Sequence, residues 1–280
     1  MTDTRPQMTS YDLELWQAAV NERWGLHYSE GRVHQLSSVL WRRMQKLGMD
    51  SFRAYHRFAG SSPGEWNLLL ESVLNHESSF FRHLPSFDAL WEVVFPDLAM
   101  RKAQRREDTI RIWSAACSIG QEPYSLAMAA LDHPSLHMLR ITVRGSDISR
   151  AVLEAARRGA YTQRAMDGVP EIQRRRHFIP NPGGGFQAGR GLRQTCEFTE
   201  FNLCNPATYG PGEYDVIFCQ NALIYFCAEQ RIRTMQSLAS RLAPGGYLFL
   251  APGEAFGVRL DGCRDARLRE CLSFQKTEKI

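Results

Sequence analysis

The chain has 280 residues, 44% of them hydrophobic, which is enough for a large domain or a large and a small one, each with a packed core, and excludes a disordered polypeptide. A net charge of +4 does not by itself point to nucleic acid or membrane, and no run approaches eighteen consecutive apolar residues. The start, MTDTRPQMTSYD, matches neither a signal segment nor a transit peptide, so the sequence predicts a soluble, cytoplasmic protein without membrane insertion.

The first eighty-odd residues carry a helical pattern. Val33, Leu36, Leu40, Met44 and Leu47 step by three and four, and Gly48 follows where a left-handed stop is needed. The other side of this helix carries Arg32, Arg42, Arg43 and Lys46. SPGE at 62–65 offers an N-cap serine, a proline at the first helical position and a glutamate three residues after the cap, a capping box ahead of Trp66, Leu69, Leu70, Val73 and Leu74. SSFFRHLPSFDALW, 78–91, then sets two phenylalanines and an arginine at the end of the helical run, before a proline. A helical domain is expected over 1–85 and a linker over 86–108, the basic stretch RKAQRRED at 101–108 reading as a solvated linker or helix end.

From residue 109 the rhythm changes. TIRIWSAA and LRITVRGSDI read as strands, each followed by a helical stretch, with Ser149 as N-cap of the second. EFTEFNL, YDVIFCQNALIYF, the helix AEQRIRTMQSLASRL, PGGYLFLAP and LSFQKTEK continue the alternation. This predicts an α/β fold with a mostly parallel sheet and ligands at the carboxyl ends of its strands. Around the glycine-rich IPNPGGGFQAGRG, an antiparallel β insertion of two or three strands is expected at about 174–198. Seven cysteines with no CxxC pair predict buried free thiols rather than a metal site or a disulfide framework.

WSAACSIGQEPYS, 113–125, is a strand-to-helix turn whose small residues let a ligand approach backbone N–H groups. It lacks GxGxxG, and tight packing explains it equally well. Asp147, at the end of the following strand, is placed to accept both hydroxyls of a ribose. Glu122 would repel a pyrophosphate but attract the amino group or sulfonium of S-adenosylmethionine; its plainer reading is a favourable charge in the first helical turn.

WSAACSIGQEPYSLAM, SDIS…LEAARRGAY, YDVIFCQNALIYF, LAPGGYLFL and the SSFFR stretch, several motifs in the right order over roughly residues 33–277, resemble the CheR family of S-adenosylmethionine-dependent protein-glutamate O-methyltransferases. The resemblance implies a Rossmann-like methyltransferase domain over 109–280, with a small all-helical N-terminal domain. It implies methyl transfer to glutamate carboxylates of chemoreceptors, with S-adenosylhomocysteine as product and no metal. Arg82 would lie at the cofactor and the reacting carboxylate, with Tyr225 also catalytic. Ser78, Glu122 and Asp147 would hold the cofactor, Asn202 and Leu203 would flank its adenine, and Asn221 and Tyr225 would close over the methyl donor. His76 stands where the family commonly has asparagine, and Gln220 where it has arginine; both are assigned to cofactor binding.

Further expectations come with the resemblance. Arg82, leaving the helical domain at the helix break beside the aromatic walls of Phe80 and Phe81, would orient the acceptor carboxylate, with Tyr225 nearby. The partner would be the cytoplasmic helical domain of a chemoreceptor, docking on the basic side around Arg42, Arg43 and Lys46, with a receptor tail at the β insertion. A monomer is expected, and no nucleic acid. Two alternatives stand beside this: a binding module that has lost turnover, suggested by His76 and Gln220, and a methyltransferase for another acceptor.

Overall fold

A computed structural model describes residues 6–210, 212–255 and 257–278. These fall into two compact units: residues through Asn75 with Tyr225–Cys227, and His76–Ile224 with the residues from Ala228 onward.

The first unit is helical: α1 (Ser10–Trp24), α2 (Val33–Lys46), α3 (Phe52–Ser61) and α4 (Pro63–Val73). The stripe read from α2 is its buried face, with Leu36, Leu40 and Met44 inaccessible, and Gly48 has φ +66°. Trp16, with its ring 5.0 Å from Tyr55 and 5.8 Å from Trp66, fills the centre. A capping box forms at α1, between Thr9 and Asp12. The one expected at Ser62 and Glu65 does not: the Ser62 side chain makes no capping bond. Glu65 instead turns inward and accepts from Arg43 Nε (2.9 Å), Arg43 Nη2 (2.7 Å) and the Tyr55 hydroxyl (2.7 Å). A two-pronged guanidinium is a stronger partner than one backbone N–H, so the carboxylate goes to the arginine. Arg43 is thereby lost from the expected basic face, on which Arg42 and Lys46 stay exposed. Residues 225–227 join this unit through His27 N–H donating to Tyr225 O (2.8 Å) and a bridge between Leu26 and Phe226.

The second unit runs, in chain order, α5 (Leu84–Ala89), α6 (Phe95–Arg105), β1 (Thr109–Ala115), α7 (Gln121–Asp132), β2 (Arg140–Asp147), α8 (Arg150–Arg158), β3 (Ala160–Tyr161), α9 (Glu171–His177), β4 (Phe178–Pro180), β5 (Phe186–Ala188), α10 (Arg190–Thr195), β6 (Cys196–Glu200), β7 (Tyr214–Cys219), α11 (Ala228–Ser240), β8 (Leu242–Leu250), β9 (Cys263–Asp265) and β10 (Leu272–Lys276). The main sheet has the order β6-β2-β1-β7-β8-β10-β9. Its first five strands are parallel, and β10 is antiparallel to both β8 and β9. The order turns back on itself between β1 and β7, where open α/β sheets form their crevice. Register brings the carboxyl ends level: Ala115 lies opposite Ser146, Asp147 opposite Glu200, and Cys219 opposite Leu250. Gly145 on β2 is required by packing, since a Cβ there would stand 2.8 Å from the Phe198 ring and 2.9 Å from Pro123.

Three expectations shift. Residues 76–85, read as the end of the helical domain, belong with the sheet, because Phe80 and Phe81 bury their rings in its core. Residues 86–108 are not a linker: Phe87, Leu90, Val94, Phe95 and Leu98 form a buried helical stripe, and Lys102 of the basic run is buried against Asp215 (2.8 Å). The small antiparallel sheet, β3-β5-β4, takes its third strand from Ala160–Tyr161, ahead of the expected range, while residues 196–198 belong to β6 of the main sheet. All seven cysteines are free, as read, but only Cys117, Cys196 and Cys219 are fully buried.

Burial pushes the Glu65 carboxyl up, but hydrogen bonds from Arg43 and Tyr55 outweigh it and hold the group below its ordinary value. Its stabilisation is therefore present above pH ~4.5 and lost as pH falls through the lowered folded value. Glu65→Ala should cost about 3 kcal/mol in a urea melt at pH 7, and less at pH 3, because it leaves the Arg43 charge partly buried without its partner.

Candidate active site

Between Ala115 and Gln121 the chain turns from strand to helix through three left-handed residues, Ala116 (φ +66°), Ser118 (φ +49°) and Gly120 (φ +90°). A Cβ on Gly120 would come within 2.8 Å of the Ala156 Cβ on α8. The two non-glycine residues cost roughly 1 kcal/mol or more each, so the surroundings must hold them. They do so through Cys117 N–H donating to Ser146 O (2.9 Å), Ser118 N–H to Asp147 Oδ2 (2.9 Å) and Ser118 Oγ to His76 O (2.9 Å). One turn thus ties together the ends of β1 and β2 and the segment at residue 76.

Asp147 receives a second N–H, from Ser149 to Oδ1 (3.0 Å). Burial raises its pKa, and these N–H groups and the nearby His76 offset part of the rise. Each carboxylate oxygen has two acceptor positions, so after these bonds the group still has capacity for the two hydroxyls of a ribose. Phe201 N–H donates to Asp147 O (2.9 Å) and so fixes where Asn202 and Leu203 leave β6. Asn202 Oδ1 accepts from Cys204 N–H (2.9 Å), while Leu203 is buried with its carbonyl accepting from the Tyr209 hydroxyl (2.9 Å).

Glu122 stands in the first turn of α7, where Ser114 Oγ donates to Oε1 (2.7 Å). Burial pushes its pKa up to about 7; the Ser114 bond and the Arg82 charge oppose this, and the Glu254 charge adds to it. Glu254, inaccessible to solvent beyond β8, and Ser118 had no role in the sequence reading. Glu254 follows a Pro-Gly turn that carries no recognisable pattern, and Ser118 acts mainly through its backbone.

Phe80 and Phe81 do not form walls beside a ligand. Phe80 packs on Tyr161 (4.9 Å between centroids) and Phe178 (5.6 Å), and Phe81 on Phe87 (4.9 Å). Phe81 has φ +50°, and its N–H donates to Ser125 Oγ (3.0 Å). Two buried rings with a kink at the second leave Arg82 exposed at the sheet unit, its Nη1 donating to Glu77 O (3.0 Å). Helix α4 has already ended at Val73, and half-buried Ser78 lies in an irregular segment. Gln220 turns its amide to Ser86 Oγ (3.0 Å) and Leu250 O (3.3 Å), and Asn221 follows with φ +61°.

The structure therefore brings His76, Arg82, Glu122, Asp147 and Asn221 to one edge of the sheet, with Asn202 and Leu203 just past β6. Tyr225 belongs to the helical unit, where its hydroxyl accepts from Asn75 Nδ2 (3.2 Å) and its ring lies 5.7 Å from the Arg32 guanidinium. Carboxylates at an edge with an exposed guanidinium suit a cationic nucleoside better than a pyrophosphate, and the acceptors needed by ribose and ammonium are present. S-adenosylmethionine fits this donor set. The Glu122 carboxyl should titrate with a midpoint near pH 7 by carbon-13 NMR, and Arg82→Ala should move that midpoint upward, because a nearby positive charge is removed.

Two family models match: CheR methyltransferase, all-alpha domain, over residues 11–74, and CheR methyltransferase, SAM binding domain, over residues 76–263. The change from one to the other falls where the structure passes between its units. Chemotaxis protein methyltransferase 2 of Vibrio cholerae is 31% identical over 263 residues, covering 92% of this chain and 90% of the relative. Chemotaxis protein methyltransferase 2 of Pseudomonas aeruginosa is 33% identical over 237 residues, covering 83% and 82%. The chemotaxis protein methyltransferase of Escherichia coli is 31% identical over 242 residues, covering 85% and 82%. With its helical unit and most of its sheet unit matched, the chain belongs to the CheR methyltransferase family.

Proposed function

We propose that this chain is a protein-glutamate O-methyltransferase that esterifies glutamate side chains of chemoreceptors, using S-adenosylmethionine and releasing S-adenosylhomocysteine. The observation that supports it most is the arrangement of Asp147, Glu122 and Arg82 at the sheet's carboxyl edge, an acceptor for a ribose, an acceptor for a cation and one exposed guanidinium.

When bound, S-adenosylmethionine supplies a methyl group on a cationic sulfur. The acceptor glutamate is already ionised at pH 7, so no residue has to remove a proton. Opposite charges neutralise during transfer, and the protein contributes alignment and exclusion of water. Asp147 accepts from the ribose, Glu122 holds the cationic end, Asn202 and Leu203 flank the adenine, and His76, Ser78 and Asn221 complete the cofactor contacts. Arg82 orients the acceptor carboxylate, for which an exposed fork of N–H donors is suited. Gln220 acts from behind, its amide holding Ser86 and the end of β8. A catalytic role for Tyr225 rests on the resemblance of its Ile-Tyr-Phe stretch.

The protein acts as a cytoplasmic monomer on receptor helices, with Arg42 and Lys46 facing their acidic surface. A receptor tail adds as a strand at an edge of the small sheet, β3 or β4, the exposed Ile179 offering β4 an apolar contact.

Transfer of labelled methyl from S-adenosylmethionine to receptor-bearing membranes, with base-labile release of methanol, tests the reaction. Arg82→Ala should lower turnover by about a hundredfold or more while calorimetry still finds cofactor binding; unchanged turnover refutes the role of Arg82. A bound cation favours ionised Glu122, so binding releases a proton. Cofactor affinity should then fall by up to about tenfold per pH unit below pH 7, and Glu122→Gln should remove that dependence.

A further inference from the structure

The Glu254 carboxylate is surrounded by backbone donors from two loops. Oε1 accepts from Leu223 N–H (2.9 Å) in the loop after β7, and Oε2 from Ala251 N–H (2.9 Å) just past β8. The backbone N–H groups of Ile224 and Asn221 lie near enough to lower its pKa. Glu254 is wholly inaccessible to solvent. A group that only capped the β8 turn would need the local bond to Ala251 alone. The carboxylate instead also holds the Leu223 amide from a segment about thirty residues earlier, which ties the 221–224 loop to the end of β8. That loop starts with Asn221 in a left-handed conformation (φ +61°), which asparagine adopts more readily than other non-glycine residues.

We propose that Glu254 is a positioning residue: its carboxylate fixes the backbone of the loop after β7 and thereby presents Asn221 to the cofactor. The inference rests on the reading of this edge as an S-adenosylmethionine site. It adds a residue that touches neither the cofactor nor the acceptor but sets the geometry of one that does. Burial raises the Glu254 pKa, and the backbone N–H groups around it, those of Ala251 and Leu223 first, oppose that rise. Glutamine is a poor replacement. Its single carbonyl oxygen serves one loop or the other, and its amide group confronts the N–H donor of the loop that is left.

The test is a double-mutant cycle on cofactor affinity, measured by calorimetry with S-adenosylhomocysteine on Glu254→Gln, Asn221→Ala and the double variant, with a thermal melt for each. The expected result is a Kd raised about tenfold or more by each single substitution and hardly further by the double, because both remove the same contact. A merely structural Glu254 would lower the melting temperature while leaving the Kd of the folded protein unchanged, and that outcome overturns the proposal. Fully additive effects, or an Asn221→Ala variant with wild-type affinity, overturn it as well. Glu254→Asp, which keeps the charge but shortens the reach, replaces glutamine in the cycle if that variant does not fold. Absence of binding by the unsubstituted protein would sink the reading of the site itself, a failure distinct from any outcome of the cycle.

Discussion

The bond from the Ser118 amide to the Asp147 carboxylate is the join on which the functional edge depends. It forces the turn after β1 against the end of β2, and the Ser118 hydroxyl extends the same turn to the backbone of residue 76. Without it, a left-handed alanine and serine in succession with Gly120 would have no reason to persist. Three segments far apart in sequence are thereby held within reach of one small ligand. The carboxylate proposed to accept from the ribose is also what keeps the loop in shape.

A second principle is the separation of anchors from actors. Phe80 and Phe81 sink into the sheet unit's core, and Arg82 is left outside because its neighbours are held. Gln220 spends its amide on Ser86 and Leu250, and Asn221 follows it at a fixed point. In each case a residue with an internal contact sits next to one presented to the edge. For a reaction that requires alignment rather than proton removal, such pairing is an economical way to reduce the freedom of the reacting groups.

Much of this was legible before any coordinates. Alternating strands and helices follow from local periodicity, which is why β1, β2, β7 and β8 and the N-cap Ser149 lie where the pattern put them. That Glu122 lies in the first turn of a helix and Asp147 at the end of a strand was legible from the same pattern. What could not be read depends on partners distant in sequence. Glu65 had a complete local motif and was drawn away by Arg43, twenty-two positions earlier. The aromatic pair before Arg82 looked like a wall because sequence does not say which way a ring points once the backbone kinks. Ala160–Tyr161 is too short to show a period, and it becomes a strand only by pairing with Phe186 and Gln187. Glu254 speaks through main-chain amides, which have no letter in the sequence.

The helical unit contains three residues from the far half of the chain, Tyr225 to Cys227. The polypeptide therefore enters that unit once as its own N-terminal stretch and again as a brief excursion out of the loop after β7. A fragment made by cutting at residue 75 would strand the excursion, leaving the Tyr225 carbonyl without His27 and Phe226 without Leu26. A helical unit made on its own would therefore have to carry a matching tripeptide with it.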